Sequence, residues 1–154
     1  MIRTESRVIV AGSIGDVWDY LCDVGRWPEW APTVVDCRVR GGGALRPGGW
    51  IEQRAKDAGL GHRRVERVTG IVPPTSLTFA GTMWTMPSRW GMRLAAVGDR
   101  HTVALMWVEV DVPRILRAFP GRALRHSIER VGAIEMAGVK AAVEGATRED
   151  AGSR

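Results

Sequence analysis

Trp27-Pro28-Glu29-Trp30-Ala31-Pro32 places two indoles and two prolines in a run of six residues. Proline fixes its own φ and pushes the residue before it out of the helical region, so the run is a stiff knuckle that ends whatever helix precedes it. Each indole carries a large apolar area and one N–H that wants a partner once buried. The knuckle reads as a hydrophobic plug, either filling the core or forming one wall of a cavity.

The preceding residues support a short helix. Ser13-Ile14-Gly15-Asp16 is an imperfect capping box, with Asp where Glu or Gln is usual. Ile14, Val17, Trp18 and Leu21 then recur at helical spacing on one face. Before this helix, Arg3 to Val10 ends in Val8-Ile9-Val10, a strand signal. After the knuckle the pattern is strand upon strand. Val34 to Arg40 breaks at Gly41-Gly42-Gly43, and Pro47-Gly48-Gly49 turns into Trp50–Arg54. Asp57 to Gly61 is a turn, and His62 to Val72 stops at Pro73-Pro74. Leu77 to Ala80 is a short strand, with a connection expected over Trp84 to Ser88. Arg89–Val97 and His101–Asp111 form a hairpin about Gly98-Asp99. From Pro120-Gly121 to about Gly145 the chain reads as one long helix. Strands joined by short turns imply an antiparallel sheet, whose concave face a single long helix can cover.

Composition narrows the class. A chain of 154 residues with 45% apolar content fits one domain with a sizeable core. A single domain over 1–146 is expected, with a flexible polar tail over 147–154. No run is apolar enough to span a bilayer, and Met1-Ile2-Arg3-Thr4-Glu5 lacks the regions of a signal peptide, so a cytoplasmic protein is expected. The net charge of +5 comes almost wholly from scattered arginines, which reads as a solvated surface and makes nucleic acid an unfavoured partner. Cys22 and Cys37 have no metal-type spacing and behave as small apolar residues. Gly43-Ala44-Leu45-Arg46-Pro47-Gly48 lacks the Lys and Ser/Thr of a phosphate loop, and Gly12-Ser13-Ile14-Gly15 is not a nucleophile elbow. His62, His101 and His126 stand apart, and no dinucleotide fingerprint is present, so neither a metal nor a cofactor is expected.

Several of these features together resemble a known superfamily. The element order, with Val17-Trp18, Asp23, the Trp27–Pro32 knuckle, Gly48, Val68 ahead of Pro73-Pro74, Leu77, Thr102 and Val139-Lys140-Ala141-Ala142-Val143-Glu144, is similar to the START/Bet v 1-like (SRPBCC) helix-grip superfamily. Within it, the likeness is to the bacterial polyketide cyclase/dehydrase and lipid-transport group, over about Val8 to Glu144. The resemblance implies an α+β fold: a curved seven-stranded antiparallel sheet around a long C-terminal helix, with two short N-terminal helices and an apolar cavity. It also implies binding of a small hydrophobic molecule, polyketide-, lipid- or quinone-like. Whether the chain also acts as a cyclase/dehydratase is left open, because the superfamily has no universal catalytic motif. A weaker reading is a basic interaction protein contacting RNA, a ribosome or a membrane.

Each of the seven tryptophans reads either as plain core or as part of a cavity wall. Trp30, Trp50, Trp84 and Trp90, with Met83, Met86 and Met92, are expected to meet the ligand, methionine suiting a wall that adapts to ligand shape. In His101 to Asp111 both faces are apolar. Either Ala104, Met106, Val108 and Val110 point inward, or Val103, Leu105, Trp107 and Glu109 do. The resemblance at Thr102 favours Met106 and Val108 in the cavity, leaving Val103, Leu105 and Trp107 as an exposed patch suited to a homodimer. On the long helix, Leu124, Ile128, Val131, Gly138 and Ala142 form one stripe, with Glu135 near its middle. Glu135, Glu109 and Arg93 are the candidate acid–base groups; either a slight rotation or bend of the helix lets Glu135 reach solvent at the sheet edge, or Glu135 faces the sheet beside an arginine such as Arg54, Arg64 or Arg93.

Overall fold

The computed structural model describes residues 1–57, 59–114 and 121–153. Strand β1 (Ile2–Ala11) leads into α1 (Ile14–Cys22) and a 3-10 turn (Val24–Glu29). Six strands follow: β2 (Val34–Val39), β3 (Trp50–Asp57), β4 (Leu60–Val72), β5 (Ser76–Met83), β6 (Met86–Val97) and β7 (His101–Val110). Helix α2 (Gly121–Gly152) closes the described chain. The strands form one antiparallel sheet in the order β1-β7-β6-β5-β4-β3-β2, the helix-grip arrangement expected. Among the described residues, no helix is long and apolar enough to cross a membrane.

Local chemistry explains the N-terminal corner. Ser13 is extended at the N-cap, and its Oγ accepts from the Asp16 N–H at 3.1 Å. The knuckle forms the 3-10 turn and is pinned to α1 twice. The Trp27 indole N–H donates to the Leu21 carbonyl at 3.0 Å, and the Tyr20 hydroxyl donates to the Glu29 carboxylate. Arg26 adds an ion pair to Glu29 and lies over the Tyr20 ring. With its carboxylate partner and its burial, the Tyr20 hydroxyl is held well above its ordinary pKa.

Helix α2 lies along β1. Lys140 Nζ donates to the Ile9 carbonyl at 2.8 Å, and Glu144 Oε1 accepts from the Ala11 N–H at 2.9 Å. The buried Thr102 hydroxyl donates to the Gly12 carbonyl at 2.9 Å, tying β7 to the same corner. The core-facing stripe of α2 is Ile128, Gly132, Met136, Val139 and Val143. It is turned about one residue from the expected stripe, because small residues let the backbone approach at other positions. A Cβ on Gly132 would stand 3.0 Å from Ser6 Oγ, and one on Gly138 would stand 2.3 Å from the Trp30 carbonyl oxygen. The helix also runs past its expected end near Gly145, so the polar residues through Gly152 are helical.

Two strand boundaries differ as well. Trp84 to Ser88 is not a connection: β5 reaches Met83 and β6 begins at Met86, leaving Trp84-Thr85 as a two-residue turn. Trp84 adopts φ 55° there, a conformation glycine adopts freely and a tryptophan does not. On β7, Ala104, Met106 and Val110 are buried on the concave side. Val103, Leu105 and Trp107 lie on the convex side but are only half exposed. The Trp107 ring covers Gly91, where a Cβ would stand 2.9 Å from it. Glu109 is on the same outer face, paired with Arg3 at 3.3 Å and Arg89 at 3.8 Å.

Candidate functional site: a cavity with a buried carboxyl

A cavity of about 380 Å³ lies between the concave face of the sheet, the knuckle and α2. The knuckle supplies Trp27, Trp30 and Ala31 to one wall. These rings are locked into an aromatic cluster. Trp27 stands edge-on to Phe79 at 5.5 Å and to Trp90 at 5.4 Å, and Phe79 stacks on Trp90 at 4.4 Å. Strands β5 to β7 supply Met83, Trp90, Met106 and Val108, and α2 supplies Ile128, Val131 and Glu135. Trp84 also lines the cavity while 61% exposed, which puts it at the mouth.

Most of the expected wall residues therefore line this space, and six side chains named with them lie elsewhere. Trp50 is 41% exposed on the outer face under the Arg40 guanidinium, because its neighbour Ile51 takes the inward position of β3. Met92 is buried in the main core among Leu77, Leu94 and Met106 and does not line the cavity. Met86 packs in a second core cluster with Ile2, Val110 and Ile128. Glu109 faces outward, as described above. Arg93 pairs in register with Leu105 and shares its outer face, so it does not reach the cavity, and Arg54 pairs with Asp36 at the surface. Of the suggested arginines, only Arg64 lines the same space as Glu135.

The residue the sequence reading missed is Glu66. It lies on the inner face of β4, is 3% exposed and lines the cavity. Gln53 Nε2 donates to its Oε2 at 3.0 Å, and the Trp90 indole N–H donates to its Oε1 at 3.0 Å. Gly81 leaves it room: a Cβ there would stand 2.8 Å from Glu66 Cγ. Burial pushes the Glu66 carboxyl above its ordinary pKa. The Arg64 charge and the two donated hydrogen bonds oppose that shift without cancelling it. Strand parity could have found it. Val68 is buried on the inner face of β4, and Glu66, two residues earlier, shares that face. The sequence marks His62 to Val72 only as a strand and assigns Glu66 to neither face. Cys37 and Cys22 are free thiols held high by burial, at about 12 and about 11. Among the described residues, no group of His, Cys, Asp and Glu could hold a metal ion.

The raised Glu66 pKa has a consequence for stability. Folded chains keep this proton to higher pH than unfolded ones, whose value is near 4.5. Between those two values the folded state binds more protons, so stability falls as pH climbs through that window and stays lower above it. Glu29, Asp36, Glu52 and Glu144 have lowered values and slope the other way, so the Glu66 contribution must be read as a difference. Glu66→Gln keeps an acceptor for Trp90 and a polar partner for Gln53 while removing the ionisation. Its urea midpoint relative to the unaltered protein is expected to rise between pH 5 and pH 8. A difference that stays constant with pH would mean that Glu66 titrates normally.

The comparisons agree with this geometry. The chain matches the polyketide cyclase/dehydrase and lipid transport family over residues 1–144 and belongs to it. The fold is similar to the di-domain ARO/CYC BexL from the BE-7585A biosynthetic pathway (TM-score 0.77, 16% identity), covering 94% of this chain and 47% of that one. The chain thus spans about half the length of that protein. It is also similar to the Zhui aromatase/cyclase from Streptomyces (TM-score 0.71, 15% identity, 92% and 93% covered). A START superfamily protein from Mycobacterium smegmatis is similar along nearly all of both chains (TM-score 0.70, 15% identity, 97% and 99% covered). At these identities the solved structures speak for the fold alone. No curated protein matches the chain.

Proposed function

We propose that this protein binds a small, ring-containing hydrophobic molecule in the cavity between sheet and α2. The observation that carries the reading is the distribution of chemistry around that space. Indoles, methionines and aliphatic side chains make most of the wall; its ionisable and amide side chains are Gln53, Arg64, Glu66 and Glu135, with the small hydroxyls of Thr33, Thr82, Ser88 and Ser127 between them. Such a cavity rewards apolar area and uses its few polar groups to orient what enters. Trp30, Trp90, Met83, Met106, Val108, Ile128 and Val131 are the side chains proposed to contact the ligand, with Trp84 at the entrance.

Fluorescence and thermal-shift titrations with fatty acids, quinones and polycyclic aromatics test the reading. A bound ligand quenches the wall tryptophans and raises Tm by mass action. Trp84→Ala is expected to weaken that response with stability changed by less than about 1 kcal/mol, as for other exposed side chains. No response to any of the three ligand classes would defeat the binding role.

A second reading, cyclisation and dehydration of a bound poly-β-ketone, is favoured by one observation: a buried carboxyl with a raised pKa beside an apolar space. An ionised Glu66 could remove a proton α to a ketone and return it to a departing hydroxyl, with net loss of water. Turnover of a β-hydroxyketone probe that stops in Glu66→Gln would support this reading over binding alone.

A further inference from the structure

We infer that the cavity selects ligands by a weakly acidic ring hydroxyl, a phenol or an enol, which hydrogen-bonds to Glu66, and that it rejects ligands carrying a carboxylate. The inference rests on the binding role proposed above and narrows it to a ligand class.

The first support is the balance of donors and acceptors at Glu66. The two N–H donors that reach this carboxyl, from Trp90 and Gln53, each occupy one oxygen. A carboxylate has about four acceptor sites, so each oxygen keeps capacity for one more donor. The other atom of the Gln53 amide, Oε1, is buried and has no hydrogen-bond partner among the described residues. Glu66 and Gln53 therefore offer unused acceptors, which a ligand donor complements, while the Trp30 indole N–H in the same wall is a buried donor without a partner among the described residues; a hydroxyl, which both donates and accepts, suits such a wall.

The second support is charge. Among the described residues, the ionisable side chains lining the cavity are Arg64, Glu66 and Glu135, two carboxyl groups to one guanidinium. A ligand carboxylate would be stripped of water in an apolar space that already holds two acids, which is costly for a charged group. A neutral hydroxyl carries no such penalty. Its proton meets a buried acceptor in low dielectric, where a hydrogen bond is stronger than in water. Phenols and enols, being better donors than aliphatic alcohols, gain most.

The third support is that the anchor is built rather than incidental. Gly81 keeps the space that Glu66 occupies, and Trp90 is fixed by its stack on Phe79. The carboxyl is thus presented in one position, which is what recognition of a single hydroxyl requires.

Naphthalene, naphthol and naphthoate share one ring system and differ only in the polar group. Calorimetric titration of the unaltered protein at pH 7 is expected to rank them naphthol, naphthalene, naphthoate. The hydroxyl should be worth ~10-fold in Kd, as befits one hydrogen bond in a buried site. In Glu66→Gln the advantage of naphthol over naphthalene should shrink several-fold, with circular dichroism confirming the fold. Naphthoate binding as tightly as naphthol to the unaltered protein would overturn the inference without touching the binding role, whether or not the variant folds. So would a naphthol advantage that is unchanged in Glu66→Gln. If none of the three probes binds, the binding role itself fails and the inference falls with it.

Discussion

Trp27→Ala should cost the protein about 3–5 kcal/mol, the range for truncating a large buried aromatic side chain. Trp27 is 2% exposed and is the common neighbour of Trp30, Phe79 and Trp90. Removing it leaves three rings facing a void and strips the Leu21 carbonyl of its indole donor. For a chain of this size, each kcal/mol moves Tm by roughly 2–4 °C, so a fall on the order of 10 °C is expected by calorimetry. Trp27→Phe keeps most of the ring contacts and should lose markedly less. Trp84→Ala removes an indole of the same size from the cavity mouth and should hardly change Tm, because that indole is mostly in water. Equal losses from Trp27→Ala and Trp84→Ala would contradict the aromatic cluster as the structural anchor of the wall.

Gly138→Ala should also be strongly destabilising, against the usual sign for a helix. Replacing glycine by alanine in a helix interior normally gains about 1 kcal/mol. Here the new Cβ would stand 2.3 Å from the Trp30 carbonyl oxygen and 3.0 Å from two further backbone atoms of Trp30. Backbone cannot swing aside as a side chain can, so α2 or the knuckle must move. Overpacking of this kind costs typically 1–3 kcal/mol and sometimes more, enough to reverse the gain. Gly145→Ala, on the same helix with nothing within 4 Å, should instead stabilise by up to about 1 kcal/mol. Opposite shifts in urea midpoint for the two variants are the expected result. Two stabilising variants would mean that α2 does not press on the knuckle.

These two contacts show why the fold was readable and part of the site was not. The knuckle carries its own conformational signals in proline and tryptophan, and the turns between strands are marked by glycine and proline. Element order and sheet type therefore follow from local sequence. Which side of a strand faces the cavity depends on register, which is set by pairing across the sheet. Trp50 and Ile51 are both apolar, and only the pairing of β3 with β4 puts Ile51 inside and Trp50 under Arg40. On α2, alanine and glycine are spread over several faces, so periodicity left the stripe uncertain by one residue. Glu66 was overlooked for a different reason. A charged residue at an inward position contradicts the rule that buries apolar groups, and such contradictions are what functional sites are made of.

The most direct test of the cavity as a ligand site uses the methionine methyl groups. Met83 and Met106 line it, Met1 is exposed just ahead of β1 and does not line it, and Met136 is buried outside it. In a methyl-labelled protein titrated with naphthol, ring-current shifts should appear at Met83 and Met106, saturate together, and leave Met1 and Met136 in place. Saturable binding that leaves the Met83 and Met106 signals unmoved would contradict the account.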